Sequence, residues 1–374
     1  MSSDPSSASR TPYNPGAPSR GRIAAFWAIL AATPLILIVL AVQCYYLYAY
    51  LTFPAYYCGS FAALDGEIGW TLEPGSESCI GGIDPETGDV AFEAPVFVNA
   101  DGARSGPMRD ETPESGVLII GDSWSFGYGI SYEETFAAQL TETHGYRTAL
   151  FASPAYSGGQ ALLLGRRVLA EIQPDTIVYF ENGFLWRTVC TGTDRPTDIL
   201  KPCYWTAPDG TAELIIPEEG TVESAAAWGY YPGGMLGAGE NSLPYFLISR
   251  PLAKLSETLV RLGIKSGFGD DFAPYAEEEE LDAIRRAHVQ ELAILAREAD
   301  AMLLLIDPGS IYADLTLSPE IVYVDAATWQ AEVTAIAETL PARERIVPAD
   351  NHYGPGVHRL IADLIAAQLA EIEN

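Results

Sequence analysis

Ser123 stands in Gly121-Asp122-Ser123-Trp124-Ser125-Phe126-Gly127, directly after the apolar run Val117-Leu118-Ile119-Ile120 and before a segment of helical spacing. A serine hydroxyl is a poor nucleophile until a base takes its proton. The histidines that could do so are His144, His288, His352 and His358. His352 lies in Ala349-Asp350-Asn351-His352-Tyr353-Gly354-Pro355, a loop before the last helical segment, with an acid two residues away. Asp350 there could orient the imidazole and stabilise the imidazolium. His144 ends a helical segment, and His288 and His358 lie within two others; none has an equally suggestive acidic neighbour on a loop. The chemistry suggested is acyl transfer, with Ser123 as nucleophile, His352 as general base and Asp350 as its partner. Asp122 reads as a turn residue bonding backbone, and Gly121 and Gly127 permit a tight turn and close substrate approach.

Such a serine has to be presented by a strand. Val117–Gly121 is short and wholly apolar, as buried parallel strands are. Further strands are expected at Arg147–Ser153, Thr176–Asn182 and Ala301–Asp307, and helices at 133–143, 160–172, 276–299 and 355–373. Strands alternating with helices predict a parallel sheet with helices on both faces. In such sheets ligands bind at the carboxyl ends of strands. The following helix start offers N–H groups and a positive partial charge to an oxyanion.

Gly121-Asp122-Ser123 with Gly127 resembles the first signature block of the SGNH/GDSL hydrolases. The order Ser123, Asp350, His352 is also that family's order. The resemblance covers about residues 116–371 apart from an insertion. It implies a three-layer α/β/α flavodoxin-like fold with a parallel central sheet and esterase activity without a cofactor or metal. It further implies an oxyanion hole built from the Ser123 N–H, the Asn182 side chain and an N–H from the glycine block. Asn182 sits in Phe180-Glu181-Asn182-Gly183, where the family commonly has Asn-Asp. The glycine block falls on Ser153-Pro-Ala-Tyr-Ser-Gly-Gly159, where Ala155, Ser157 or Gly158 could supply the N–H. The family's usual Asp-x-x-His is here Asp350-x-His352, a variant that some members resemble. Trp124 and Trp186 are candidates for substrate binding.

The domain expected at 116–374 is interrupted at about 188–270 by a stretch rich in Gly, Pro and aromatics, including Trp205, Trp228, Tyr230, Tyr231 and Tyr245. Long insertions of this kind are usually functional or lid-like. The aromatics would stack on a sugar, line an acyl pocket or pack the insertion's own small core. Residues 52–115 read as a small irregular or β-rich lead-in in which nothing looks catalytic.

Residues 1–22, rich in Ser, Pro, Gly and Arg, read as a disordered tail. No charged residue occurs from Ile23 to Leu51. That length is enough for one transmembrane helix at 23–51, with Pro34 tolerated and Tyr45, Tyr46, Tyr48 and Tyr50 as an aromatic belt. A cleaved signal peptide is the competing reading; the run is longer than a usual signal core and lacks a small-x-small cleavage site. Arg10, Arg20 and Arg22 precede the run and no Lys or Arg follows until Arg104, which puts the N-terminus in the cytoplasm and residues 52–374 outside. The expected location is thus the inner membrane, single-pass, with the catalytic domain periplasmic or extracellular.

Five cysteines occur; Cys44 falls in the apolar run, and proximity pairs the others as Cys58–Cys79 and Cys190–Cys203, one of three connectivities. Disulfides would mean an oxidising compartment, and reduced loop thiols are the alternative. Hydrophobic residues make up 48% of the 374, enough for a packed core. A net charge of -29 would repel phosphate backbones, so nucleic acid is not an expected partner. The acidity fits solubility, or selection of cationic substrates.

The function expected is a membrane-anchored esterase or deacetylase. Its substrates would be esters, above all O-acetyl groups, on an envelope or extracellular carbohydrate or a lipid. An O-acyltransferase would use the same residues, and a non-catalytic envelope protein would use the fold for binding or assembly.

Overall fold

In the computed structural model the described residues are 20–51, 55–107, 112, 115–182, 188, 190, 201–222 and 278–373. Trp186, Trp228, Tyr230, Tyr231, Tyr245 and most of the 1–22 tail lie outside them.

The core of the molecule is a nine-stranded sheet of order β1-β4-β5-β6-β8-β7-β9-β12-β13. Its parallel part comprises β7 (Ser115–Gly121), β8 (Thr148–Ala152), β9 (Gln173–Phe180), β12 (Met302–Ile306) and β13 (Ile321–Val324). In chain order these five lie 2-1-3-4-5, the flavodoxin-like arrangement, whose crevice opens at the carboxyl ends of β7 and β9. Leu118, Ile119 and Ile120 of β7 and Leu303 to Ile306 of β12 are fully buried. Their unbroken apolar runs reflect burial on both faces. Helix α3 (Phe136–Glu142) packs with the last helix, α6 (Pro355–Ile372), and α4 (Gly158–Val168) packs with α5 (Glu278–Ala299). The α4–α5 pair is tied by Arg166 to Glu291 at 2.5 Å.

The other half of the sheet comes from the lead-in. Strands β1 (Ala55–Tyr57), β4 (Glu77–Ile83), β5 (Val90–Val98) and β6 (Arg104–Ser105) are antiparallel, and β6 pairs with β8 through Arg104 and Leu150. The segment read as a small lead-in thus continues the main sheet. A hairpin of β2 (Ala62–Asp65) and β3 (Gly69–Leu72) is held to α4 by Arg167, which forks onto Asp65 at 2.5 and 3.1 Å. Within the insertion, β10 (Cys203–Thr206) and β11 (Ala212–Ile215) form a second hairpin. Both proximity pairings of cysteines are present, Cys58–Cys79 and Cys190–Cys203.

Residues Arg20–Leu51 form one helix, α1, with Pro34 inside it. Among the described residues no helix is long and apolar enough to cross a membrane, so the expected span at 23–51 gains no support there. The described side chains of α1 are exposed apart from half-buried Gln43, and they include Trp27, Ile29, Leu30 and the run Ile36 to Leu40.

Candidate active site

The turn after β7 explains the glycines of the serine block. A Cβ on Gly121 would lie 2.2 Å from Ser125 Oγ, so the strand can pass under the next helix only as glycine. Asp122 caps that helix, α2 (Ser123–Phe126), accepting the Trp124 N–H at Oδ1 (3.0 Å), the turn role expected of it. Gly127 closes α2 in the left-handed region (φ 77°), where a side chain would be strained. Its N–H and that of Tyr128 both donate to the Ser123 carbonyl, at 3.1 and 3.0 Å.

Three sequence candidates converge at this point. Ser123 Oγ lies 2.8 Å from His352 Nε2, across 229 positions of chain. His352 Nδ1 lies 2.5 Å from Asp350 Oδ1, and the same oxygen accepts the His352 main-chain N–H at 2.9 Å. Burial alone would raise the Asp350 pKa; the hydrogen bond and charge of His352 and two backbone N–H groups bring it below the usual carboxylate value. Asp350 is therefore ionised at neutral pH and fixes the imidazole with Nδ1 protonated, which leaves Nε2 to accept the serine proton.

Aromatic rings hold the imidazole from the sides. Trp124 and Tyr128 have centroids 5.0 and 4.7 Å from that of His352. Tyr353 meets Trp124 edge-on at 4.3 Å. Tyr128 and Tyr353 escaped the sequence reading, although each adjoins a residue it singled out; adjacency alone carries no sign that a ring turns inward.

Asn182 follows β9 and donates from Nδ2 to Asp122 Oδ2, on the residue that precedes the nucleophile in the chain. Gly158, Asn182 and Asp122 line one small cavity together with Glu181 and Thr188. Of the three glycine-block residues, Ser157 and Gly158 both line this cavity. Ser157 spends its N–H on Gln160 Oε1 in a capping box (3.0 Å), and Ala155, held at φ 64°, does not line the cavity. Gly158 opens α4, where N–H groups have no intrahelical partner. A Cβ at Gly158 would sit 2.5 Å from His288 Cε1, so this position also needs glycine. The insertion props the block from outside: Lys201, 3% exposed, donates to the Ala155 carbonyl (3.3 Å), and Ser157 Oγ donates to that of Pro202 (3.3 Å).

The other histidines serve elsewhere. His144 pairs with Asp363 at 2.9 Å, an acidic partner the sequence spacing did not reveal. His288 is buried with Nδ1 2.8 Å from the Tyr312 hydroxyl. His358 is buried, stacks on Phe136 and accepts its N–H at Nδ1 (3.2 Å).

No family model and no curated protein matches the chain. Among solved structures it is similar to a protein of the G-D-S-L lipolytic family from Desulfitobacterium hafniense DCB-2, at 12% identity and TM-score 0.31, covering 68% of this chain and 99% of that one. It is also similar to the acetyl xylan esterase Est2A from the rumen bacterium Butyrivibrio proteoclasticus, at 12% identity and TM-score 0.33, over 73% of this chain and 66% of that one. A third similar structure is a carbohydrate esterase, at 9% identity and TM-score 0.34, over 85% of this chain and 97% of that one. Likeness at this level assigns no activity to the chain.

Proposed function

We propose that the chain is a serine esterase of the SGNH type that works through an acyl-enzyme. The observation that carries this is the continuous chain of hydrogen bonds from Ser123 Oγ through His352 to Asp350. Ser123 Oγ attacks the ester carbonyl while its proton passes to His352 Nε2. The tetrahedral oxyanion is held by the N–H groups of Ser123 and Gly158 and by the Asn182 amide. His352 then returns the proton to the departing alkoxide, releasing the alcohol and leaving the acyl group on Ser123. Water, deprotonated by His352, attacks that acyl group. The carboxylate leaves and Ser123 recovers its proton.

The substrate class we propose is an O-acetyl ester on an envelope or extracellular carbohydrate, or a lipid ester. The partly exposed rings of Trp124 and Tyr353 beside the imidazole offer a surface on which a sugar ring could stack. We place the protein in the inner membrane with the catalytic domain outside the cytoplasm. The grounds for an anchor of that orientation lie in the sequence, in the uncharged stretch from Ile23 to Leu51 and the arginines ahead of it. Two disulfides fit an oxidising compartment.

Hydrolysis of p-nitrophenyl acetate by the purified chain tests the activity. Ser123→Ala and His352→Ala should each abolish it while the circular dichroism stays that of the wild type; full activity in both would show that other residues do the chemistry. An alkaline phosphatase fused to the C-terminus should be active, and a well-expressed but inactive fusion would overturn the orientation.

A further inference from the structure

Arg104 belongs to the half of the sheet that holds none of the residues of the hydrogen-bonded chain, yet its side chain reaches the turn that follows α2. It is 1% exposed. Among the described residues its hydrogen bonds go to main-chain carbonyls. Nη1 donates to Phe126 and to Gly127 (2.8 Å), and Nη2 donates to Ile130 (2.6 Å). The guanidinium carbon lies 4.1 Å above the centre of the Phe126 ring. A buried cation with no carboxylate hydrogen-bonded to it is costly. It is tolerated where several carbonyl oxygens converge, as they do past the end of α2. Burial pushes the guanidinium pKa down to about 9, with Tyr132, Glu133 and Glu134 acting in the opposite sense, so the group is still charged at neutral pH.

The clamped turn touches both halves of the reacting pair. On one side, the N–H groups of Gly127 and Tyr128 bond the Ser123 carbonyl. On the other, the Tyr128 ring lies against His352, and a Cβ on Gly129 would come within 2.6 Å of Val347 Cγ1. Val347 in turn takes the His352 carbonyl on its N–H at 2.9 Å, closing the loop that carries the base. Moving the 126–130 turn would therefore shift Ser123 and His352 relative to each other. Lysine would replace only part of this contact, because its ammonium is a point charge without the fixed fork of a guanidinium.

We propose that Arg104 is a positioning residue for acyl transfer, whose forked guanidinium keeps the 126–130 turn in the register that sets the Ser123–His352 hydrogen bond. This rests on the esterase reading and adds to it that the antiparallel half of the sheet is part of the catalytic unit.

Arg104→Met and Arg104→Lys in the full chain test it, compared with wild type at a temperature where circular dichroism shows each protein folded. A displacement on the order of 1 Å costs about 10² in rate, so kcat on p-nitrophenyl acetate should fall about 100-fold in Arg104→Met. The rate of inactivation by a fluorophosphonate should fall with it, and KM should change by less than about threefold. Arg104→Lys should fall in between. A folded Arg104→Met with wild-type kcat and inactivation rate, or a loss confined to KM, would overturn the proposal. If Arg104→Met does not fold, the same criteria apply to Arg104→Lys; if neither folds, Arg104 has a structural role only and the proposal fails. Wild-type protein that neither hydrolyses the ester nor reacts with the fluorophosphonate sinks the esterase reading itself, before any variant is compared.

Discussion

Replacing Asp350 by Asn removes one charge and little else. The amide keeps an oxygen for the His352 main-chain N–H that Oδ1 now accepts at 2.9 Å, so the loop should hold and stability should change by no more than about 1 kcal/mol. What goes is the carboxylate facing the imidazolium that forms as Ser123 loses its proton. A unit charge about 4 Å from its partner is worth about 4 kcal/mol at the effective dielectric of a partly buried pair. The side chains of His352 and Asp350 are 17% and 24% exposed, which makes that figure an upper value. At about 1.4 kcal/mol per factor of ten, kcat should fall by about 10²–10³. If the amide NH2 turns toward Nδ1 and imposes the wrong tautomer, the loss moves toward about 10⁴. KM should hardly move, because the interaction removed is one made as the transition state forms. The assay is steady-state hydrolysis of p-nitrophenyl acetate with a thermal melt on the same samples. A folded Asp350→Asn within about threefold of wild-type kcat would refute the role given to this carboxylate.

Asn182→Ala should lower kcat by about 10²–10³ with KM nearly unchanged, as loss of one oxyanion donor does; unchanged kcat would remove the amide from the mechanism. Gly158→Ala brings a methyl to within 2.5 Å of His288 Cε1. It should cost about 1–3 kcal/mol in a denaturant melt through overpacking, and a variant as stable as wild type would show that His288 gives way freely. Acid should weaken the fold well above the carboxylate range. Burial lowers the pKa of His288 to about 4, and burial together with the Arg104 and His352 charges lowers that of His358 to about 3, both from 6.5. The unfolded chain therefore binds protons that the native state refuses, and stability falls as pH drops from 6.5 toward 4 for His288 and toward 3 for His358. Each histidine accounts for about 3 kcal/mol by pH 4. Melting temperatures flat between pH 6.5 and 4 would contradict this.

Much of the site was legible because its signals are local. Val117 to Ile120 had to be a buried strand, the glycines beside Ser123 had to turn, and Asp350 stands two residues from His352. The parallel strands and the long helices likewise announced themselves through apolar runs and helical spacing. What escaped depends on contacts between distant segments. The two-residue strand Arg104–Ser105 splices the lead-in into the main sheet, and two residues carry no periodicity. Strand β13, only four residues long, has the same difficulty. The contacts that fix the glycine block, Gln160 capping Ser157 and His288 abutting Gly158, have no local signature either. The guanidinium of Arg104 finds its carbonyls more than twenty residues away, and nothing around Ala103-Arg104-Ser105 marks the choice.

Acyl transfer by this chain requires the Ser123 oxygen to be activated for attack. Treating the folded chain with a fluorophosphonate and mapping the modified peptide by mass spectrometry measures that directly. A single adduct on Ser123, absent after His352→Ala, is the result expected. An adduct on a different serine, or folded wild-type protein left unmodified, would contradict it.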